Sequence, residues 1–258
     1  MRLMKRILSA AAVLALSASL LVGCSSGTAS SVPVSASSAA ESTVSSVEET
    51  ASSAVDENEA AAAQLLNDLT GSYQELWPVI LADEYKQTWL DDCTALVGEE
   101  NAEAAFEKLS SMVTSDVYGE DAVEAYANGG GAYFCGFTNS LATLTFDGET
   151  STISGTDKDG NVLFSHTYHY IGMEPVHGLY EFESVDADSG EFTYFFLAPD
   201  TSAETYHIEF RYGSDAEALS QHDAGEYAYW VASGISTDCD QTMIDNCIEL
   251  FCTENLAG

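Results

Sequence analysis

The feature that most constrains this chain is the change of texture at Gly129-Gly130-Gly131. After that break, short runs of β-branched and aromatic residues alternate with turn residues, which is the pattern of consecutive strands. The runs fall at 132–138, 140–147, 150–155, 161–172, 178–186, 191–198 and 204–212. Asp147-Gly148, Asp159-Gly160 and Ser189-Gly190 lie between or beside them and supply residues that tolerate positive φ, as tight hairpins require. Seven short strands with close turns predict an antiparallel barrel or sandwich.

Before the break the period is helical. Ala60 to Leu69 opens an apolar stripe, Leu76, Val79, Ile80 and Trp89 extend it past Pro78, and Ala105, Phe106, Leu109 and Met112 follow at helical spacing. After the last strand, Ser214-Asp215-Ala216-Glu217 has capping-box spacing and predicts a helix start. A final helix near 240–252 would bury Met243, Ile244, Cys247, Ile248 and Phe251. The expected class is therefore mainly β with flanking helices, in one domain over residues 57–258.

The N-terminus is a separate matter. Arg2, Lys5 and Arg6 precede an apolar run from Ile7 to Val22, which ends in Leu21-Val22-Gly23-Cys24. Residues 1–23 read as a signal peptide of the bacterial lipoprotein kind, with Cys24 as the lipid-modified first residue of the mature protein. Residues 24–56 read as a tether. From Ser25 to Asp56 there are twelve serines, no Lys or Arg and no aromatic residue, so the segment cannot bury enough apolar area to offset its ordering entropy. The localisation this predicts is the extracytoplasmic face of a membrane.

Seven cations against 42 Asp+Glu give a formal charge of −35, which excludes nucleic acid as a partner because no basic stripe exists to replace phosphate counterions. Metal cations remain possible ligands. Two acidic stretches, Asp157 to Asn161 and Asp186 to Glu191, fail as calcium loops: the first has Val162 where glycine is needed and Tyr168 where a bidentate glutamate is needed, and the second ends on Leu197. Both read as hairpin turns.

Five cysteines follow Cys24: Cys93, Cys135, Cys239, Cys247 and Cys252. They cannot all pair within one chain, and no Cys-x-x-Cys occurs. Cys247 lies on the apolar side of the final helix, where a buried thiol acts as a small hydrophobe; a disulfide from Cys239 to Cys247 or Cys252 is the alternative. No nucleophile elbow, zincin helix, phosphate loop or dinucleotide fingerprint is present, so no enzyme is expected.

The histidines are the informative group. His166 and His169 fall in one strand run, His177 in the following turn, His207 in the last run and His222 at a helix end. His207 and Glu209 are two apart on a strand, so they project from one face. An imidazole and a carboxylate placed so are half of a zinc ligand set, or else a polar face alternating with Tyr206, Ile208, Phe210 and Tyr212.

Asp68 to Pro78, with Thr70-Gly71-Ser72-Tyr73 and Trp77-Pro78, resembles the opening element of the ZinT/YodA family of bacterial zinc-binding proteins. Leu197-Ala198-Pro199, His207 to Gly213 and Glu226 to Trp230 resemble that family's later landmarks, in the same order. The resemblance implies a calycin-like (lipocalin-like) antiparallel β-barrel in an exported protein that binds zinc and assists its uptake or buffering, with a metal-importer component as partner. The family's three metal histidines are one shortly before an Ala-Pro and two in a His-x-His. Here the first position is Phe195, which cannot ligate a metal, and the pair is His207-Ile208-Glu209. His169 or His177 would then have to supply a missing nitrogen. The alternatives are a small-molecule-binding barrel with Phe195 in its pocket lining, or a surface interaction module without a ligand.

Overall fold

The computed structural model describes residues 57–198 and 207–256. The expected signal peptide (1–23), Cys24 and the expected tether (24–56) lie outside the described residues. The strands form a closed antiparallel barrel in simple meander order: β1 (Gly71–Glu75), β2 (Thr143–Asp147), β3 (Thr152–Thr156), β4 (Val162–Met173), β5 (Tyr180–Ser184), β6 (Tyr194–Leu197), β7 (His207–Gly213) and β8 (Ala232–Ser236), with β8 closing on β1. This is the mainly β, calycin-like barrel expected, but with eight strands instead of seven.

The difference lies at the seam. β1 and β8 are short and rich in small or polar residues, so neither carries a β-type pattern of its own; they are strands because pairing to each other, to β2 and to β7 satisfies their backbone groups. Conversely, the aromatic run 132–138 forms only isolated bridges, from Phe134 to Thr114 and Trp230. It passes along the barrel end and inserts Phe137 against Phe210, ring centroids 5.3 Å apart.

The barrel interior is aromatic. Phe195 lies between Phe164 and Tyr212 at 5.9 and 5.4 Å, with Tyr168 and Phe210 also in contact. Phe195, Phe210 and Tyr212 are all fully buried. At this level the barrel is filled by rings, which accounts for Phe195 as packing.

The helices are α1 (57–68), α2 (Leu76–Ile80), α3 (Lys86–Val97), α4 (Glu99–Ser111), α5 (Glu120–Ala127), α6 (Ala216–Leu219) and α7 (Gln241–Leu256), and α2, α3, α4 and α7 pack together in a layer. Phe251 of α7 sits at the centre of this layer, edge-on to Trp77 of α2 at 4.7 Å and to Trp89 of α3 at 5.8 Å. The helix starting near 214 is capped by Asp215, whose carboxylate accepts from the N–H groups of Glu217 and Ala218. Ser214, the residue suggested by capping-box spacing, is therefore one position too early; the carboxylate is the better acceptor at a helix N-terminus. Met243 is half-buried, and Cys252 takes the last buried position of α7. Among the described residues no helix is long and apolar enough to cross a membrane.

Candidate metal centre

Long β4 pairs with β3 through its first half and with β5 through its second, with register irregularities at Gly155/Thr156 of β3 and Tyr170/Gly172 of β4. Its end delivers Glu174 into the β4–β5 turn. The turn closes on that residue: the Glu174 N–H donates to the Leu179 carbonyl, and Gly178 N–H donates to the Glu174 carbonyl. The Glu174 carboxylate accepts from the N–H groups of Val176 (2.9 Å) and His177 (2.5 Å). One fully buried side chain thus shapes the turn and orients His177.

His222 arrives from the far side. It follows α6 in a segment pinned to the barrel wall by Arg211 of β7, whose guanidinium is wholly buried and donates to the carbonyls of Leu219, Gln221 and Tyr227. The His222 carbonyl accepts from the N–H of Tyr229, fixing the other end. The His222 ring lies against that of His177, centroids 3.6 Å apart at a tilt of 36°.

Glu174, His177 and His222 therefore each place one ligand-type atom within 4.8 Å of the others. His177 Nδ1 is 3.4 Å from a Glu174 oxygen but outside hydrogen-bond geometry, and both ring nitrogens of His222 are buried without a hydrogen-bond partner. Buried polar atoms are normally satisfied, and leaving one unpaired costs about 1–3 kcal/mol. A neutral imidazole carries one N–H and one lone pair, so His177 and His222 each bring one lone pair to the Glu174 carboxylate, and a metal ion is one partner that could take them.

The charge states suit that role. Burial, then the Arg211 charge and His177, push the His222 pKa down to about 2, which holds its imidazole in the neutral form at neutral pH. Burial alone would raise the Glu174 carboxyl; the contacts from His177 and the backbone N–H groups outweigh it and hold it below the usual range. Neutral imidazole and carboxylate are the forms that ligate metals. Arg211 stays cationic, its pKa lowered by burial only to about 10, and its charge opposes a cation here.

The residues singled out in the sequence fall in three places. His177 belongs to the cluster just described. His169 is half-exposed on β4, opposite Glu183 of β5 in the register and 3.8 Å from its carboxylate. His207 and Glu209 share a face, as their spacing requires, but it is the outer face of β7, and both are buried. His207 lines a cavity of about 10 Å³, the room of one water, among Leu76, Trp77, Ile80, Cys247, Leu250 and Phe251. Glu209 lies near Cys135, whose thiol it helps, after burial, to hold protonated. Glu174 and His222 are the residues that sequence reasoning missed. The Glu-x-x-His spacing of Glu174 and His177 was a usable signal; nothing in the sequence joins His222 to it.

The acidic stretches are turns, as expected. Asp157 accepts from the N–H groups of Asp159 and Asn161 and from the Asn161 side chain, so its oxygens are engaged in the hairpin.

No family model and no curated protein matches this chain. Among solved structures, the Zn(II)-bound ZinT-like domain of AdcA from Streptococcus pneumoniae is similar over 70% of this chain and 87% of that domain, with 15% identity and a TM-score of 0.44. Zn(II)-bound AdcA from Streptococcus pneumoniae is similar over 71% of this chain and 34% of that chain, with 13% identity and a TM-score of 0.41. The chain thus matches about a third of that longer structure.

Proposed function

We propose that the protein is a lipid-anchored, extracytoplasmic zinc-binding protein that buffers zinc or passes it to an importer. The observation that carries metal binding is the convergence of Glu174, His177 and His222 ligand atoms within 4.8 Å of one another, with neither His222 nitrogen hydrogen-bonded. Two imidazoles and a carboxylate are a ligand set that zinc accepts, with a fourth position left for water or a transfer partner. The anchor rests on Leu21-Val22-Gly23-Cys24, and the importer on the sequence resemblance to the ZinT/YodA family.

Zinc calorimetry on metal-stripped protein tests the site. Wild type should take up one zinc, and His222→Ala and Glu174→Gln should weaken it by roughly tenfold or more. His207→Ala and Glu209→Gln should leave affinity unchanged; loss in these two alone would put the ion at the His207-Ile208-Glu209 motif instead. Equal binding by every variant would mean capture by the acidic surface.

A second reading, small-molecule binding, is favoured by a cleft of about 310 Å³ bounded by Glu75, Trp77, Leu81, Val113, Phe134 and Cys135. It lies beside the barrel, not inside it near Phe195. Displacement of a lipophilic dye from this cleft, unaffected by zinc, would support it.

A further inference from the structure

Cys93 of α3 and Cys252 of α7 face each other across the helical layer, with their sulfurs 3.9 Å apart and both side chains fully buried. The contact is specific to this pair: Cys93 stands one helical turn beyond Trp89, and Cys252 adjoins Phe251, the ring that Trp89 meets edge-on. A thiol is a weak donor and a weak acceptor, so the contact itself adds little as a hydrogen bond. Beside it, Asp92 of α3 is repelled by Asp245 and Glu249 of α7. The two helices are thus held by an apolar contact against like charges, at the point where two thiols meet.

We propose that Cys93 and Cys252 form a disulfide when the protein folds under oxidising conditions, stapling α7 to α3. A disulfide needs its sulfurs near 2.05 Å, so each must approach by about 1 Å, which small side-chain rotations supply. The chemistry is thiol–disulfide exchange with an oxidised dithiol carrier. The thiolate of one cysteine attacks the carrier disulfide, forming a mixed disulfide and releasing one carrier thiolate. The thiolate of the other cysteine then attacks the protein sulfur of that mixed disulfide and releases the second. The protein loses two protons and two electrons, and the carrier is reduced to two thiols. Burial raises both thiols above their ordinary pKa, so exchange proceeds while the chain is still opening and closing, and the finished bond is shielded from reductants. Cys135, Cys239 and Cys247 remain thiols. This pairing replaces the Cys239 alternatives suggested by spacing, since the thiol that meets Cys252 comes from α3.

The bond in the cell rests on the export reading; its formation on folding does not. The reduced, unfolded full-length protein is refolded in a mixture of oxidised and reduced glutathione, alkylated and cleaved after glutamate. A linked pair of the fragments Tyr85–Glu99 and Leu250–Glu254 is expected. Reduction should lower the melting midpoint by roughly 5–10 °C, and Cys93→Ala should abolish both the linked pair and the reductant dependence. Alkylation of both Cys93 and Cys252, or a link of either to another cysteine, overturns the proposal. The second arm takes the protein directly from cells under thiol-blocking acid: a link there supports both readings, whereas a link found only after refolding overturns export and leaves the pairing intact.

Discussion

Phe195 and His207 lie on opposite sides of the same barrel wall. Phe195 pairs with Tyr212 in the β6–β7 register and shares its inward face, while His207 alternates with Ile208 and turns outward beneath α2 and α7. A histidine restored at Phe195 would therefore not meet His207. Phe195→His should lower stability by about 1–3 kcal/mol, the cost of an unpaired polar group among rings, and should not raise zinc affinity. Urea unfolding and zinc calorimetry on the same variant check both halves; tighter zinc binding would show that the wall rearranges around the new ligand.

Arg211 ties the segment that carries His222 to β7. Arg211→Met keeps much of the side-chain volume but strands the carbonyls of Leu219, Gln221 and Tyr227. It should cost about 3 kcal/mol or more and abolish zinc binding, although a positive charge beside the proposed site has been removed. Denaturant midpoints would measure the first effect. Tighter zinc binding with unchanged stability would mean that Arg211 acts only through its charge.

Asp92 carries a proton more readily in the folded protein than in the unfolded chain, its pKa pushed up to about 6 by burial first and then by Glu249, Asp245 and Asp91. A raised carboxyl pKa makes the folded state the one that binds more protons between about pH 4 and 6, so this group destabilises at neutral pH and its penalty fades as pH falls. Asp92→Asn should thus melt above wild type at pH 7, with the gap closing toward pH 4. A gap constant with pH would locate the effect elsewhere.

Gly148, in the β2–β3 turn, lies against the backbone of α1. A β-carbon there would sit 2.4 Å from the Cα of Asn67 and 2.6 Å from the Leu66 carbonyl oxygen, and backbone cannot move aside as a side-chain tip can. Gly148→Ala should cost about 1–3 kcal/mol by overpacking, and calorimetry should show one transition moving as a whole if residues 57–258 form one cooperative unit. An early transition confined to α1, with the barrel unchanged, would mean that α1 docks independently.

The sequence made the middle of the barrel legible because β2 to β7 carry their own turn residues and apolar alternation. It hid the seam, since Ser72 and Gln74 in β1, or Ser233 and Gly234 in β8, have no strand character until the barrel closes on them. The same distinction governs the candidate site. His207 and Glu209 stood out by strand spacing, and spacing does put them on one face, but it says nothing of which side of the wall that face occupies. Glu174 and His177 were within one turn of each other, whereas His222 joins them through tertiary hydrogen bonds from Arg211 and from the Tyr229 N–H, which have no local signature.

Closure of β8 on β1 also bears on how copies of this protein behave together. An open sheet ends in a row of free N–H and C=O groups that invites another chain to add a strand; here each strand is flanked by two others. Crowding two such domains side by side therefore brings together faces without a backbone template for association, and a formal charge of −35 adds repulsion between them. The architecture favours domains that remain separate at high local concentration, each presenting its own β4–β5 turn to the surroundings.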